Sequence, residues 1–452
     1  MTAQNEINIS DVVDSGKLNA FLIAVFFLFG LFLIMDGFDV QAMGYVAPAV
    51  ITEWKITNPQ LLPAINAGLV GLFVGSMIFG MVGDRIGRRR VLLIATAAFG
   101  VCTLLCSLAT SVWQLAGIRF LAGLGLGAIL PNATALVGEF SPKRIRVASM
   151  MIVTNGFTVG AMLGGFLASW LIPRSGWQAV FIVGGIVPLA LLLPMYLWLP
   201  ESLQFLALRR NDHREIAKWL TRINPAAVID ASTRFVVREE RSVGVPVLRL
   251  FGDGRAAGTA LIWIANFLNI LNAYFVASWL PTVVRDAGYS ISTGTLVGAS
   301  VQTGGTIGTI VIALLFRRIG FIPVLTACFA LEAVSLALIG EPSLSLPLLF
   351  LVAFTAGWGI FAGQPTLNAL SATYYPTDLR STGIGAALGV GRLGSIVGPT
   401  VGAVLMAQQW SREDLFHAAA VPAVVATLSV LAMSLVMATS SNAQGSAVGV
   451  RR

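Results

Sequence analysis

The 452-residue sequence contains little charge. Only 11% of its residues are Asp, Glu, Lys or Arg, whereas 56% are hydrophobic, and the mean hydropathy is +0.83. Soluble domains carry about 25% charged residues. The composition therefore excludes a soluble multidomain enzyme and predicts a chain that lies largely within a lipid bilayer.

Residues that build disulfides and metal sites are also scarce. The three cysteines, Cys102, Cys106 and Cys328, all fall inside apolar runs, and the two histidines, His213 and His417, stand in polar stretches. Cysteines in apolar runs behave as small buried hydrophobes, so we expect no disulfide framework, metal or cofactor. The net charge of +8 comes from short loops between apolar runs, so we also expect no nucleic acid partner.

What the chain does contain is a series of twelve apolar runs, each near the length of about 20 residues that a membrane-spanning helix needs. Numbered as spans 1 to 12, they are 19–50, 60–82, 91–110, 112–138, 147–172, 177–199, 256–282, 293–316, 321–340, 346–371, 382–407 and 413–438. The predicted fold is all-helical, with twelve transmembrane helices in two pseudo-symmetric six-helix bundles. The expected divisions are a terminal segment 1–18, bundles 19–199 and 256–438, a central loop 200–255 and a tail 439–452.

The basic residues predict how the chain is oriented. If the N-terminus is inside, 23 of the Lys and Arg residues fall on the cytoplasmic side and four on the outside. The remaining two, Arg119 and Arg392, fall within spans. Because cytoplasmic loops carry the excess of basic residues, this bias places both termini in the cytoplasm.

The two halves of the chain repeat each other. A shift of 234 positions places the glycines and prolines of spans 4 and 5 on those of spans 10 and 11, and a shift of 233 places Asp36 and Asp39 on Asn269 and Asn272. Parallel duplications of this kind are typical of two-bundle transporters, whose binding site lies near the bilayer midplane between the halves.

Two acids stand inside span 1. Asp36 and Asp39 are three residues apart and so share one helix face. An ionised Asp at this depth costs about 2.5–3.5 kcal/mol, so each needs a partner or a proton. Arg119 lies about 12 Å from the outer end of span 4 and Asp39 about 16 Å from that of span 1, depths that predict an ion pair. The pair could be a structural bridge, or protonation of Asp39 could release Arg119.

Arg392 lies near the midplane in span 11 without an obvious acidic mate. Glu332 is at a similar depth, but span 9 is expected at the bundle periphery. A guanidinium binds a carboxylate through two parallel hydrogen bonds, so Arg392 could hold a carboxylate ligand, although an internal bridge stays open.

Other polar or aromatic side chains inside the second-half spans are ligand contacts or helix-packing groups. As ligand contacts we favour Tyr274, Asn272, Gln364, Asn368 and Trp358, although a single aromatic residue such as Trp358 more often serves packing.

A charged loop joins spans 2 and 3 and reads Gly80-Met-Val-Gly-Asp-Arg-Ile-Gly-Arg-Arg-Arg90. It resembles the signature loop of the major facilitator superfamily, and the resemblance implies a gating role for Gly83, Asp84, Arg85 and Arg88. We expect Glu139, near the inner end of span 4, to pair with loop arginines. In the second-half counterpart, 316–320, an Arg occupies the place of the acid.

Within that superfamily the chain is most similar to the aromatic acid:proton symporters. The motifs are Asp-Gly-Phe-Asp in span 1, Pro-Asn-Ala-Thr-Ala-Leu in span 4, Tyr-Pro-Thr at 375–377 and Gly-Val-Gly-Arg-Leu-Gly in span 11. The likeness covers about residues 20–405 and implies uptake of a hydroxybenzoate-type carboxylate with protons, by a monomer in the bacterial inner membrane. The family's acids fall on Asp36 and Asp39, and its arginines on Arg380 and Arg392.

Two alternatives stay open. The glycine pattern of span 4 and Pro200-Glu201-Ser202 after span 6 would also fit a sugar or other organic-acid symporter. A membrane sensor that binds aromatic acids without transporting them is an alternative of another class.

Overall fold

The computed structural model describes residues 6–210, 212–225, 229, 233–236, 247–376 and 379–449. Thr377, Arg451 and Arg452, which the sequence analysis used, lie outside the described residues, as does much of the central loop. The side chain of Arg317 is also outside them.

Within these described residues, the structure confirms twelve helices that are long and apolar enough to cross a membrane. In chain order, spans 1 to 12 are Ala20–Trp54, Asn58–Ile86, Arg88–Cys106, Val112–Phe140, Arg146–Ser175, Gln178–Trp198, Ala256–Asp286, Ile291–Ile319, Phe321–Gly340, Leu346–Tyr374, Arg380–Ala407 and Arg412–Gly449. Most extend beyond the predicted runs by a few residues because the helical hydrogen bonding continues into polar ends.

Backbone turns at the helix junctions repeat between the halves. Gly87 separates spans 2 and 3 with φ +103°, and Gly320, 233 positions later, separates spans 8 and 9 with φ +89°. Both conformations lie in the region that favours glycine. The duplication seen in the sequence is thus also present in the backbone.

The remaining described elements are short. The strands Glu6–Asn8 and Arg234–Val236 pair in parallel. The helices Ile9–Ser15, Leu203–Phe205 and His213–Ile223, a π-helical turn at Leu206–Arg210 and a 3-10 turn at Val247–Phe251 complete the set.

The chain divides into two compact units. The first comprises Met1–Ala42, Pro63–Ala161 and Ser175–Arg241, and the second comprises Met43–Leu62, Met162–Arg174 and Ser242–Arg452. The ends of spans 1 and 5 and the beginning of span 2 therefore belong to the unit that holds spans 7 to 12. The domain boundaries drawn from the sequence stay a prediction.

The helices of the first unit pack closely at glycine seams, where a glycine of one helix faces a backbone carbonyl of its neighbour. In span 2, a Cβ on Gly71 would lie 2.2 Å from the Phe120 carbonyl oxygen, and in span 5 a Cβ on Gly160 would lie 1.8 Å from that of Ile34. Spans 2 and 4, and spans 1 and 5, thus meet backbone to backbone, as small residues allow in membranes.

The second unit repeats these pairings. A Cβ on Gly357 in span 10 would lie 1.8 Å from the Val301 oxygen in span 8, and one on Gly394 in span 11 would lie 2.5 Å from the Phe267 oxygen in span 7. Gly394 is the partner of Gly160 in the 234-residue repeat. The same span pairs therefore meet backbone to backbone in each half, and spans 5 and 11 do so at equivalent glycines.

Candidate functional site

Asp39 and Arg119 form the predicted ion pair inside the first unit. Asp39 is 0% exposed and Arg119 4%. One guanidinium nitrogen of Arg119, Nη1, donates to both carboxylate oxygens of Asp39 at 2.8 Å, and Nη2 donates to the Asp39 carbonyl oxygen at 3.2 Å. Thr103 Oγ1 in span 3 donates to the same carboxylate at 3.1 Å.

This pair is sealed by its surroundings. A Cβ on Gly68 of span 2 would lie 3.4 Å from the Arg119 guanidinium, and the Phe181 ring of span 6 lies 5.9 Å from its central carbon. Charges removed from water in this way are stable only when both are present and hydrogen-bonded. A proton on Asp39 would cancel the attraction to Arg119, so the arrangement can respond to protonation.

Asp36 lies one turn before Asp39 and is 4% exposed. The intervening Gly37 lets span 5 approach, because a Cβ there would lie 1.8 Å from the Phe157 oxygen. Both predicted acids are therefore buried in the first unit.

An amide network connects spans 7 and 10 in the second unit. Gln364 accepts a hydrogen bond from Asn269 at 2.7 Å and donates to Asn266 at 2.9 Å and to Asn368 at 3.3 Å. Asn269 also donates to the Ile360 carbonyl at 3.2 Å. The structure thus brings the predicted residues Gln364 and Asn368 together within span 10, and Gln364 links them to span 7.

Arg392 lies at the level of this network. It is twelve residues into the 28-residue span 11, and a Cβ on its neighbour Gly391 would lie 3.5 Å from the Asn266 carbonyl oxygen. The Arg392 side chain is half-buried. Among the described residues, its guanidinium takes part in no hydrogen bond or ion pair.

Three other residues predicted to contact the ligand lie outside this amide network, within the second unit. Asn272 is 0% exposed and donates to Glu332 Oε1 at 2.7 Å, so its amide is engaged within the bundle. Trp358 packs beside Cys328 and Ala362, in a cluster formed by spans 8, 9 and 10. Tyr274 is half-buried. Ligand contact by these three residues stays a prediction.

The signature loop is tied to spans 4 and 6. Arg88 is ion-paired with Asp84 at 3.0 Å and with Glu139, as expected for Glu139 and a loop arginine. Glu139 also accepts a hydrogen bond from Ser202 Oγ at 2.7 Å. Gly83 is buried against span 4, where a Cβ would lie 2.0 Å from Asn132 Oδ1.

The Pro-Glu-Ser segment after span 6 belongs to the same network. Glu201 Oε1 accepts from the backbone N–H groups of Arg89 at 3.1 Å and Ser202 at 2.9 Å. A Cβ on Gly87 would lie 2.5 Å from Glu201 Oε2. The carboxylate thus caps the start of span 3, where orphan N–H groups favour an anion. Arg85 and Arg380 are exposed at the ends of spans 2 and 11.

Sequence reasoning missed two partners. Thr103 is one of two buried threonines in span 3, and nothing in the sequence distinguishes it from Thr96 as a partner of Asp39. Glu332 has a depth similar to that of Arg392, but the expected peripheral position of span 9 argued against a site there. In the structure, Glu332 accepts a hydrogen bond from Asn272.

Comparison with known proteins agrees with the motifs. The profile of the Major Facilitator Superfamily matches residues 20–237 and 262–449. A gallate transporter from Pseudomonas putida is 37% identical over 94% of this chain and 95% of its own length. The 4-hydroxybenzoate transporter PcaK from the same organism is 34% identical over 96% and 98%, and a benzoate transport protein from Acinetobacter baylyi is 33% identical over 94% and 92%.

Solved structures share the fold. A bacterial homologue of the human lysosomal transporter Spinster, in an inward-facing and occupied conformation, aligns with a TM-score of 0.68 over 93% of this chain and 98% of its own, at 14% identity. With the profile matched over most of its length, and with relatives above 30% identity over nearly all of it, the chain belongs to the Major Facilitator Superfamily.

Proposed function

We propose that this transporter takes up an aromatic carboxylate of the hydroxybenzoate type together with protons, by alternating access. In this proposal it works as a monomer in the bacterial cytoplasmic membrane, with both termini in the cytoplasm. The excess of basic residues on one side supports the orientation. The relatives named for gallate, 4-hydroxybenzoate and benzoate support the substrate class, since all three are ring carboxylates.

The substrate assignment rests on Arg392, whose half-buried guanidinium has no described partner. A guanidinium near the middle of a membrane span is costly unless an anion accompanies it. Because Arg392 is half-buried and is not paired with any described residue, a bound carboxylate would supply the missing anion. Asn368 lies at the end of the amide network, and its side-chain NH2 group, which donates to no described residue, could bind a ring hydroxyl.

Proton coupling would use the first unit. Asp39 holds Arg119 in a buried pair, so a proton on Asp39 frees the arginine and a lost proton restores the pair. Asp36, one turn away on the same helix, would bind a second proton more weakly.

Gating would involve both ends of the spans. On the side of the chain termini, Asp84, Arg88 and Glu139 join the signature loop to span 4. At the end of span 7, within the second unit, Arg285 Nη1 donates to the Pro48 carbonyl at 2.7 Å and to Thr52 Oγ1 at 3.2 Å. We propose that these two sets are made and broken in alternation.

Substitution of Arg392 tests the substrate site. Lys keeps the charge of Arg392 but loses its two-donor fork, and Ala loses both. A hydrogen bond to a charged group is worth about 1.5–3 kcal/mol, so Arg392→Lys should weaken 4-hydroxybenzoate binding by about tenfold to a hundredfold. Arg392→Ala should weaken it further. Arg318→Ala, at the exposed end of span 8, is the control and should leave binding unchanged.

Uptake by the wild-type protein in proteoliposomes with a pH gradient separates the proposed function from its alternatives. Accumulation of labelled 4-hydroxybenzoate but not glucose supports the proposal. Binding without accumulation would favour a sensor, and glucose accumulation would favour the sugar symporter. Unchanged binding in both Arg392 variants would remove Arg392 from the site.

A further inference from the structure

A second buried acid lies in the second unit, in the centre of span 9. Glu332 is 1% exposed. A Cβ on Gly359 of span 10 would lie 2.7 Å from Glu332 Cβ, so the two helices press together at this residue. One turn earlier, Cys328 belongs to an apolar cluster with Ile312, Val324 and Ala362.

The hydrogen bonds of this acid lack one donor. Asn272 Nδ2 donates to Glu332 Oε1 at 2.7 Å. Glu332 Oε2 and Asn272 Oδ1 are both buried and, within the described residues, neither accepts a hydrogen bond. An ionised Glu332 would therefore leave two orphaned acceptors in one hydrogen-bonded pair, and buried orphans of this kind are rare.

A single proton would satisfy both acceptors. A protonated carboxyl group offers one acceptor and one O–H donor, and the side-chain amide of Asn offers one donor and one acceptor. The two groups are complementary, so Oε2–H of Glu332 can donate to Oδ1 of Asn272 while Nδ2 of Asn272 donates to Oε1.

No described cation replaces that proton. Among the described residues, Glu332 takes part in no ion pair within 4.0 Å. Other charged or titratable side chains on span 9 and on the spans packed against it are Cys328, Tyr274, Arg285, Asp286, Arg318, Tyr374, Arg412, Glu413, Asp414 and His417. The nearest cation along span 12 is Arg412, whose guanidinium donates to the Ile339 carbonyl, about two helical turns beyond Glu332.

The position of the pair also corresponds to that of the first-unit site. Asn272 stands where Asp39 stands in the 233-residue repeat. Asp39 binds span 3 through Thr103, and Asn272 binds span 9, the repeat of span 3, through Glu332. In each half, the residue at this position of the first span is thus hydrogen-bonded to the third span, and the bond involves a buried carboxyl group.

We propose that Glu332 is a proton-binding site of the second unit: it holds a proton against Asn272 in this state and exchanges it when span 7 moves against span 9 during transport. The exchange rests on the proposed proton symport, whereas the protonated resting state does not. Glu332 would thereby add one proton to those carried by the first unit.

Infrared spectroscopy of the purified transporter at neutral pH, without substrate, tests the resting state. The wild type should show a protonated carboxyl C=O band that Glu332→Gln lacks, because Gln keeps the donor and acceptor shape but carries no acidic proton. Glu341→Gln, an acid at the end of the same helix, is the matched control and should keep the band. A wild-type minus Glu332→Gln difference spectrum without a protonated carboxyl band would overturn the proposal.

The exchange is tested in proteoliposomes by the number of protons taken up for each molecule of 4-hydroxybenzoate. We expect Glu332→Gln to lower this number by one and to reduce the dependence of uptake on membrane potential, with binding retained. If Glu332→Gln leaves the ratio and the voltage dependence unchanged, Glu332 is a fixed neutral group and the exchange is refuted. Failure of wild-type uptake to respond to pH would instead refute the symport itself.

Discussion

Replacing Asp39 by Asn removes one charge from a buried pair without changing the size of the side chain. The attraction of unit charges about 2.8 Å apart is about 6 kcal/mol at an effective dielectric constant of 20. Desolvation offsets much of this attraction, and removing one partner of such a pair typically costs about 3–5 kcal/mol because the other charge remains buried. Asp39→Asn should therefore both destabilise the first unit and remove the proton-binding group.

A second substitution separates these two effects. In Asp39→Asn with Arg119→Gln the site is neutral, and much of the lost stability should return, since replacing both members of a buried pair is often nearly neutral. Proton binding does not return. Thr103→Val is the control: it removes a neutral hydrogen bond to the same carboxylate, costing about 1–3 kcal/mol, and leaves both charges in place.

The assay is uptake into proteoliposomes with the pH gradient set at one unit, which supplies about 1.4 kcal/mol per proton, or a tenfold concentration ratio for one-to-one symport. The wild type and Thr103→Val should accumulate substrate. Asp39→Asn and the neutral double variant should exchange labelled for unlabelled substrate but should not accumulate it. Accumulation by the double variant against a gradient would refute Asp39 as the coupling acid.

Two further substitutions give separate expectations. Asp36→Asn should reduce uptake and its dependence on membrane potential, measured with voltage clamped by a potassium gradient, because a second proton would add one positive charge worth about 2.3 kcal/mol per 100 mV; an unchanged voltage dependence would count against a proton site there. Gly87→Ala should lower the midpoint of thermal unfolding more than Gly254→Ala does. Both residues have positive φ, +103° and +75°, but only at Gly87 would the new Cβ meet Glu201, at 2.5 Å. Equal losses would show that Glu201 simply moves aside.

The sequence was sufficient for the elements that depend on hydrophobic length and on repeats. Twelve spans and the family follow from apolar runs and short motifs, because the bilayer imposes both length and internal hydrogen bonding on each span. The Asp39–Arg119 pair was also predictable, since an arginine and an acid at matching depths in neutral surroundings have few other partners.

The amide contacts could not be assigned in the same way. Asn269, Asn272 and Gln364 can each bond to a neighbouring helix or to a ligand, and only the rotation of each helix about its axis decides which. The glycine seams set that rotation. A difference of a few tenths of a turn about the helix axis determines whether an Asn or Gln side chain faces a neighbouring helix or a cavity. Span length and residue depth contain no information on it, so the sequence alone could not place Glu332 beside Asn272.

The glycine seams also restrict how the protein can move. At Gly71, Gly160, Gly357 and Gly394 the facing carbonyl oxygen lies within 2.5 Å of the position that a Cβ would occupy. Rotating one helix of a pair by about 100°, the angle between successive residues, would bring the next side chain onto that oxygen, and the overlap would be prohibitive. We therefore expect four helix pairs to move as rigid units: spans 1 and 5, 2 and 4, 7 and 11, and 8 and 10. Bending should occur between these pairs and at prolines inside the helices.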